Sequence, residues 1–248
     1  MSDPVLLICV GSVAAFLVGL SKGGLALVGA LGVPVLALVM SPVQAAAILL
    51  PVYVLSDMAG LWVYRRNFSR ENLRILAPAA AAGIAIGWAT ASHVSDRGVA
   101  LLVGLVGLSF CLNAWRSRHQ VPEARPPELK RGIFWGTIMG FASFVSHFGG
   151  PAYQVYVLPQ RLPKMVYAGT TTILFALINV LKLIPYWALG QLSAANLRSA
   201  GYLVVPALAG TLLGVRLVRV LPQSSYFVIV QVLLFCVSIR LMLKAAGI

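Results

Sequence analysis

A succession of long apolar stretches is the feature that most constrains the fold of this chain. Several stretches of about 18 or more apolar residues follow one another, each long enough to cross a hydrocarbon core of about 30 Å. The 248 residues are 60% hydrophobic and only 10% charged, whereas soluble domains carry about 25% charged residues. A membrane β-barrel would instead show weak, alternating segments. The sequence therefore predicts an all-α, polytopic helical membrane protein.

The excess of Lys and Arg over acidic residues also fits a membrane protein. Lys and Arg number 19 against 6 acidic residues, a net charge of +13, and the basic residues stand at the ends of apolar segments. This is the positive-inside pattern, so we attribute the charge to the bilayer surface rather than to a nucleic acid partner. We predict a multi-pass protein of the cell inner membrane, with the polar linker 116–131 in the cytoplasm.

Sequence signatures of enzymes, metals and cofactors are missing. Cys9, Cys111 and Cys236 lie in separate apolar runs without CxxC spacing, which indicates packing residues rather than a disulfide framework or a metal site. The chain has no HExxH, no GxSxG and no clustered pair of acids. We therefore predict no enzyme activity, no cofactor and no metal.

Each half of the chain contains one apolar run that small residues interrupt. The run 5–40 would be about 54 Å long as a single helix, and Ser21-Lys22-Gly23-Gly24 interrupts it. The run 132–158 is interrupted at 146–151, Ser-His-Phe-Gly-Gly-Pro. Each break carries a basic side chain, so we interpret the two breaks as two walls of one binding site.

The two halves form an internal repeat, which we predict from matches in the same order. The segment 68–74 reappears as 192–198, Pro78, Gly83 and Gly87 correspond to Pro206, Gly210 and Gly214, and Phe110-Cys111 corresponds to Phe235-Cys236. Spacing of this kind indicates a repeat architecture. We predict a first repeat over 1–118, a cytoplasmic linker over 119–131 and a second repeat over 132–248. Each repeat has a broken helix and three further spans, about eight apolar segments in all.

The topology depends on the two broken runs. If each run crosses the membrane, all eight segments are spans. If each doubles back as a re-entrant hairpin, each half crosses three times and the repeats are inverted. We favour inversion, by analogy with transporters whose half-helices meet near the bilayer midplane.

Four ionisable residues lie farthest from any polar loop: Lys22, Asp57, His147 and Lys182. A charge at the bilayer centre costs at least about 2.5 to 3.5 kcal/mol, so such residues usually pair or line a cavity. For Lys22 the alternative to anion contact is snorkelling to an interface, and for His147 it is a hydrogen-bonded core position. Asp57 either forms a static ion pair or manages charge or a coupling proton.

Weaker polar candidates complete the predicted site. Asn179 and Lys182 are three residues apart and share a helix face, although Asn179 alone could be a polar packing contact. Glycines at the breaks free backbone N–H groups for an anion. We predict that the anion is held by Lys22, Gly23, Gly24, His147, Gly149, Gly150, Gln154, Thr171, Asn179 and Lys182, with Asp57 as the coupling residue.

A family resemblance points the same way. It rests on residues 21–24 with Pro34, Gly149-Gly150-Pro151-Ala152-Tyr153-Gln154-Val155-Tyr156, Ala168-Gly169-Thr170-Thr171, Asn179-Val180-Leu181-Lys182 and Pro185-Tyr186. This set resembles the sulfite exporter family TauE/SafE, also called the toluene-sulfonate uptake permeases. The resemblance implies a duplicated secondary transporter of small sulfur-containing anions, such as sulfite, sulfoacetate or other organosulfonates. With the small-residue helix faces, it also suggests a homodimer.

Other functions stay open on the sequence alone. A cation carrier is the main alternative among transporters, and one buried acid against several bases argues against it. Transport of another small anion, a membrane-embedded enzyme and a non-transporting accessory subunit are the remaining alternatives. The accessory role would be favoured if Asp57 and Lys182 tolerated apolar replacement.

Overall fold

The computed structural model describes residues 4–91, 96–116 and 124–247, and helices are its regular elements there. The α-helices are α1 Pro4–Lys22, α2 Gly32–Leu36, α3 Pro42–Tyr64, α4 Arg70–Ala89, α5 Asp96–Arg116, α6 Leu129–Ser146, α7 Gly150–Val157, α8 Lys164–Ala188, α9 Ala194–Val220 and α10 Gln223–Ala246. Two 3-10 helices, Ala26–Leu31 and Leu158–Gln160, precede α2 and follow α7. Residues 119–123 of the predicted linker lie outside the described residues.

Six of the described helices are long and apolar enough to cross a membrane, namely α3, α4, α5, α8, α9 and α10. Two shorter apolar segments, Leu6–Lys22 and Ala26–Leu36, accompany them. On α3 the side chains of Leu55, Met58 and Trp62 are all exposed, which suits a face turned to lipid. The prediction of a polytopic helical membrane protein is confirmed.

The first broken run doubles back on itself. After Lys22 the chain forms the 3-10 helix Ala26–Leu31 and then α2. A Cβ at Gly29 would touch the side chain of Ser21. A Cβ at Gly32 would meet Val18, so the returning segment runs back along α1. Small residues on the return allow this close approach.

The second broken run also doubles back. His147 ends α6 with a positive φ of 59°, and α7 begins at Gly150. The hydroxyl of Tyr156, near the end of α7, donates to the carbonyl of Glu128 just before α6, with an O···O distance of 3.2 Å. Three long helices follow each broken run, α3 to α5 after the first and α8 to α10 after the second. An inverted arrangement of the two halves stays a prediction. The repeat division itself remains a prediction.

The described residues form two compact units. The first comprises 1–68 and 168–221, and the second comprises 69–167 and 222–248. Within the first unit α1 packs on α9, and within the second α4 packs on α6. Each unit therefore combines helices from both halves of the chain.

The pairing of α1 with α9 depends on small residues. A Cβ at Gly19 would overlap the carbonyl oxygen of Ala207, and one at Gly210 would overlap that of Phe16. Backbones that approach this closely are typical of small-residue helix crossings in membranes. In the second unit, Gly83 and Gly140 hold α4 and α6 together by the same kind of contact.

Candidate functional site

Three charged side chains are buried in the part of the chain that the structure describes. Lys22 is 4% exposed, Asp57 is 2% exposed and Lys182 is 1% exposed. All three belong to the first compact unit. Because a buried charge is unfavourable unless it is paired, their partners decide what the cluster can do.

The carboxylate of Asp57 is held through both of its oxygens. Nζ of Lys22 lies 2.8 Å from Oδ1, and Nδ2 of Asn179 donates to Oδ2 over 2.8 Å. Lys182, one helical turn beyond Asn179, interacts electrostatically with both Asp57 and Lys22. The cluster therefore contains one carboxylate and two lysine side chains, of which Lys22 is in direct contact with the carboxylate.

Neighbouring side chains fix the position of Lys22. The ring of Tyr53 lies beneath its ammonium, with 4.8 Å from Nζ to the ring centroid, a cation–π contact. The hydroxyl of Thr172 donates to the carbonyl of Lys22 over 3.3 Å, and that of Tyr64 donates to the carbonyl of Gly23 over 2.6 Å. Carbonyls at a helix end lack partners within the helix, so these two hydroxyls cap the end of α1.

The backbone at the first break requires glycine. Gly24 has a φ of 117°, a conformation that side chains with a Cβ rarely adopt. Gly60 of α3 lies against the carbonyl of Lys22 and the side chain of Thr172, where a Cβ would meet both. Glycine at these two positions lets α3 and α8 reach the end of α1.

One face of α3 carries the contacts to the break. Tyr53, Asp57, Gly60 and Tyr64 follow a spacing of four, three and four residues, which places them on one side of a helix. Asp57 was predicted from the sequence, whereas Gly60 and Tyr64 were not. The helical spacing from Asp57 is the signal that would have found the α3 residues.

Removal of the Tyr64 hydroxyl tests this cap. We expect Tyr64→Phe to lower the free energy of unfolding by about 1 to 3 kcal/mol, because the buried carbonyl of Gly23 loses its donor. Thermal unfolding of the purified protein in detergent measures the change. Tyr202→Phe is the matched control, since Tyr202 is 74% exposed on α9. Equal stability of the two variants would contradict the capping role.

The remaining predicted residues divide between the two units. In the first unit Gly23 and Gly24 are buried beside Lys22, and Thr171 is buried on α8. Lys22 is buried and paired with Asp57. The structure thus brings Lys22, Asp57 and Asn179 into direct contact, with Lys182 nearby.

His147, Gly149, Gly150 and Gln154 belong to the second unit. Gly149 is buried against the carbonyl of Met139. Gln154 is 1% exposed, and its Oε1 has no hydrogen-bond partner among the described residues. A common site formed by both breaks stays a prediction.

Comparison with known proteins gives one match. A family model described as "Sulfite exporter TauE/SafE" matches residues 7–241, which include the breaks in both runs and most of α10. No curated protein and no solved structure matched the chain. The matching family consists of membrane transporters and not of enzymes. With a match over nearly its whole length, the chain belongs to the TauE/SafE sulfite exporter family.

Proposed function

We propose that this protein is a secondary transporter of small sulfur-containing anions, such as sulfite, sulfoacetate or another organosulfonate. The family supports the transporter class, and the buried cluster supports the sign of the cargo. Two lysine side chains and one carboxylate are buried there, so an anion entering the cluster would meet more basic than acidic side chains.

The first break would supply the donors on one side of the anion. Lys22 and Lys182 provide charge, Asn179 provides an amide donor, and the buried Thr171 and the glycines at 23 and 24 complete this wall. His147, Gly149, Gly150 and Gln154 would form the opposite wall. Support for this second wall is the equivalent break in the second half and the buried Gln154.

Asp57 would balance the charge of the empty site or take up a coupling proton. We further propose that the protein resides in the cell inner membrane as a homodimer, with the linker 116–131 in the cytoplasm. Basic residues in this linker and in the loop 65–74 support that orientation, because positive loops stay on the cytoplasmic side.

Uptake by the purified protein in liposomes tests this function. We expect uptake of labelled sulfite, sulfoacetate or both, measured with and without a pH gradient and with sulfate for comparison. Lys182→Met should reduce uptake at least about tenfold, because loss of one contact to a charged group weakens binding by about 1.5 kcal/mol or more.

Lys130→Met is the control for this substitution, since it removes the same charge from an exposed position at the start of α6. It should transport like the wild type. Absence of uptake of every anion by the wild type, or full uptake by a folded Lys182→Met variant, would contradict the proposal.

A further inference from the structure

We propose that the carboxylate of Asp57 acts as a tethered anion that occupies the substrate site of the empty transporter. Each substrate anion then enters together with a proton that neutralises Asp57. This inference rests on the proposed function and deepens it, because it makes the proton an obligatory co-substrate.

The anion donors converge on the carboxylate of Asp57. Lys22 and Asn179 are the groups expected to hold a substrate, and each lies 2.8 Å from one oxygen of this carboxylate. A sulfite or sulfonate group also presents several negatively charged oxygens on one centre. The donors that would recognise such a group are therefore already engaged by an anion of the chain itself.

The donors around Asp57 are also buried. Lys22 is 4% exposed and Asn179 is 4% exposed, and the ring of Tyr53 covers a further side of the Lys22 ammonium. An incoming anion thus cannot simply add to a solvated face of Lys22. It has to replace the carboxylate, and a carboxylate that leaves its partners inside the protein is strongly disfavoured as long as it is charged.

Protonation of Asp57 removes the cost of taking a charged carboxylate away from its partners. One proton converts the carboxylate of Asp57 to a neutral carboxyl group, the ion pair with Lys22 is lost, and the substrate anion pairs with Lys22 and Lys182. Lys22 of α1 and Asn179 of α8 contact Asp57 directly. Lys182 of α8 and Tyr53 of α3 interact with Asp57 electrostatically, and Tyr186 of α8 interacts in the same way with Tyr53.

The charge balance follows from this step. Binding one proton and one monovalent anion leaves the net charge of the cluster unchanged, whereas one proton with a divalent anion adds one negative charge. Asp57 has to be protonated whenever it releases its donors. The uptake of protons on anion binding is therefore largest at alkaline pH, where the carboxylate of the empty protein is ionised.

A comparison of Asp57→Asn with the wild type tests the inference. The amide keeps the size of the side chain and removes its charge, so it no longer competes for the ammonium groups. We expect Asp57→Asn to bind sulfite and sulfoacetate at least about tenfold more tightly than the wild type at about pH 8. The ratio should be smaller at about pH 5, because protonation of the wild-type carboxylate costs less free energy at lower pH.

Using the ratio of two proteins at each pH cancels any titration of the anion itself. Binding is measured by calorimetric titration of the full chain in detergent. Ser56→Ala is the matched control, because Ser56 is buried beside Asp57 and donates to carbonyls of its own helix. It should follow the wild type at both pH values. A ratio near one, or weaker binding by Asp57→Asn at alkaline pH, would overturn the inference.

A second measurement needs no variant and can overturn the inference even if Asp57→Asn does not fold. Sulfoacetate keeps both of its charges above about pH 6, so protons taken up on its binding go to the protein. Titration of the wild type in two buffers with different ionisation enthalpies should show uptake of about one proton per anion at about pH 8. Anion binding without proton uptake would overturn the inference alone, whereas no binding of either anion would overturn the proposed function with it.

Discussion

Lys22→Met is expected to lower the free energy of unfolding by about 3 kcal/mol and to abolish anion uptake. Removing one partner of a buried ion pair leaves the other charge uncompensated, which typically costs about 3 to 5 kcal/mol. Asp57 is 2% exposed and would retain Asn179 as a donor to Oδ2. Because Lys182 still acts on Asp57 electrostatically, we expect the lower end of that range.

A second substitution separates stability from function. Lys22→Met combined with Asp57→Asn removes both charges of the pair, and replacing a whole buried pair with neutral groups is often nearly neutral for stability. The double variant should therefore regain most of the lost stability without regaining transport. Thermal unfolding in detergent, analysed as a double-mutant cycle, measures the coupling between the two residues. A double variant as unstable as Lys22→Met would show that the pair does not stabilise the first unit.

Gly210→Ala is expected to disrupt the crossing of α1 with α9. Its new Cβ would overlap the carbonyl oxygen of Phe16, a backbone atom that cannot rotate out of the way. Forcing extra volume into a close-packed contact typically costs about 1 to 3 kcal/mol, and we expect the upper end here. Uptake should also fall, because α1 carries Lys22 at its end.

Gly201→Ala on the same helix is the matched control. Apart from its chain neighbours and the backbone of its own helix, no atom lies within 4 Å of the position that its Cβ would take. Alanine also favours a helix over glycine by about 0.5 to 1 kcal/mol. Unfolding of both variants under the same conditions should therefore show a loss of stability at position 210 and no loss at position 201. Similar stability of the two variants would contradict the close crossing.

The membrane fold could be predicted from the sequence because it depends on quantities that a sequence contains. The lengths of the apolar runs and the scarcity of charge are sufficient for a helical bundle. The path of the broken runs was harder to predict from the sequence. The distribution of basic residues over the loops fits a membrane-crossing path and a re-entrant path almost equally well. What distinguishes the two paths is packing, such as Gly29 against Ser21 and Tyr156 near Glu128.

The charged residues of the candidate site could be predicted from the sequence, but the side chains that hold them in place could not. The cost of burying a charge pointed to Lys22, Asp57 and Lys182, but it left open which lysine pairs with Asp57. Only the tertiary arrangement places Lys22 2.8 Å from the carboxylate. Tyr64 and Thr172 act on backbone carbonyls at the end of α1, and no composition or spacing rule identifies which carbonyl a distant hydroxyl will reach.

Counterflow of labelled sulfite tests the central claim most directly. Liposomes loaded with unlabelled sulfite would carry either the wild type or the double variant Lys22→Met with Asp57→Asn, after both are shown to unfold at similar temperatures. The account predicts accumulation of label by the wild type and none above protein-free liposomes by the double variant. Equal accumulation by both proteins would contradict an anion site at Lys22 and Asp57.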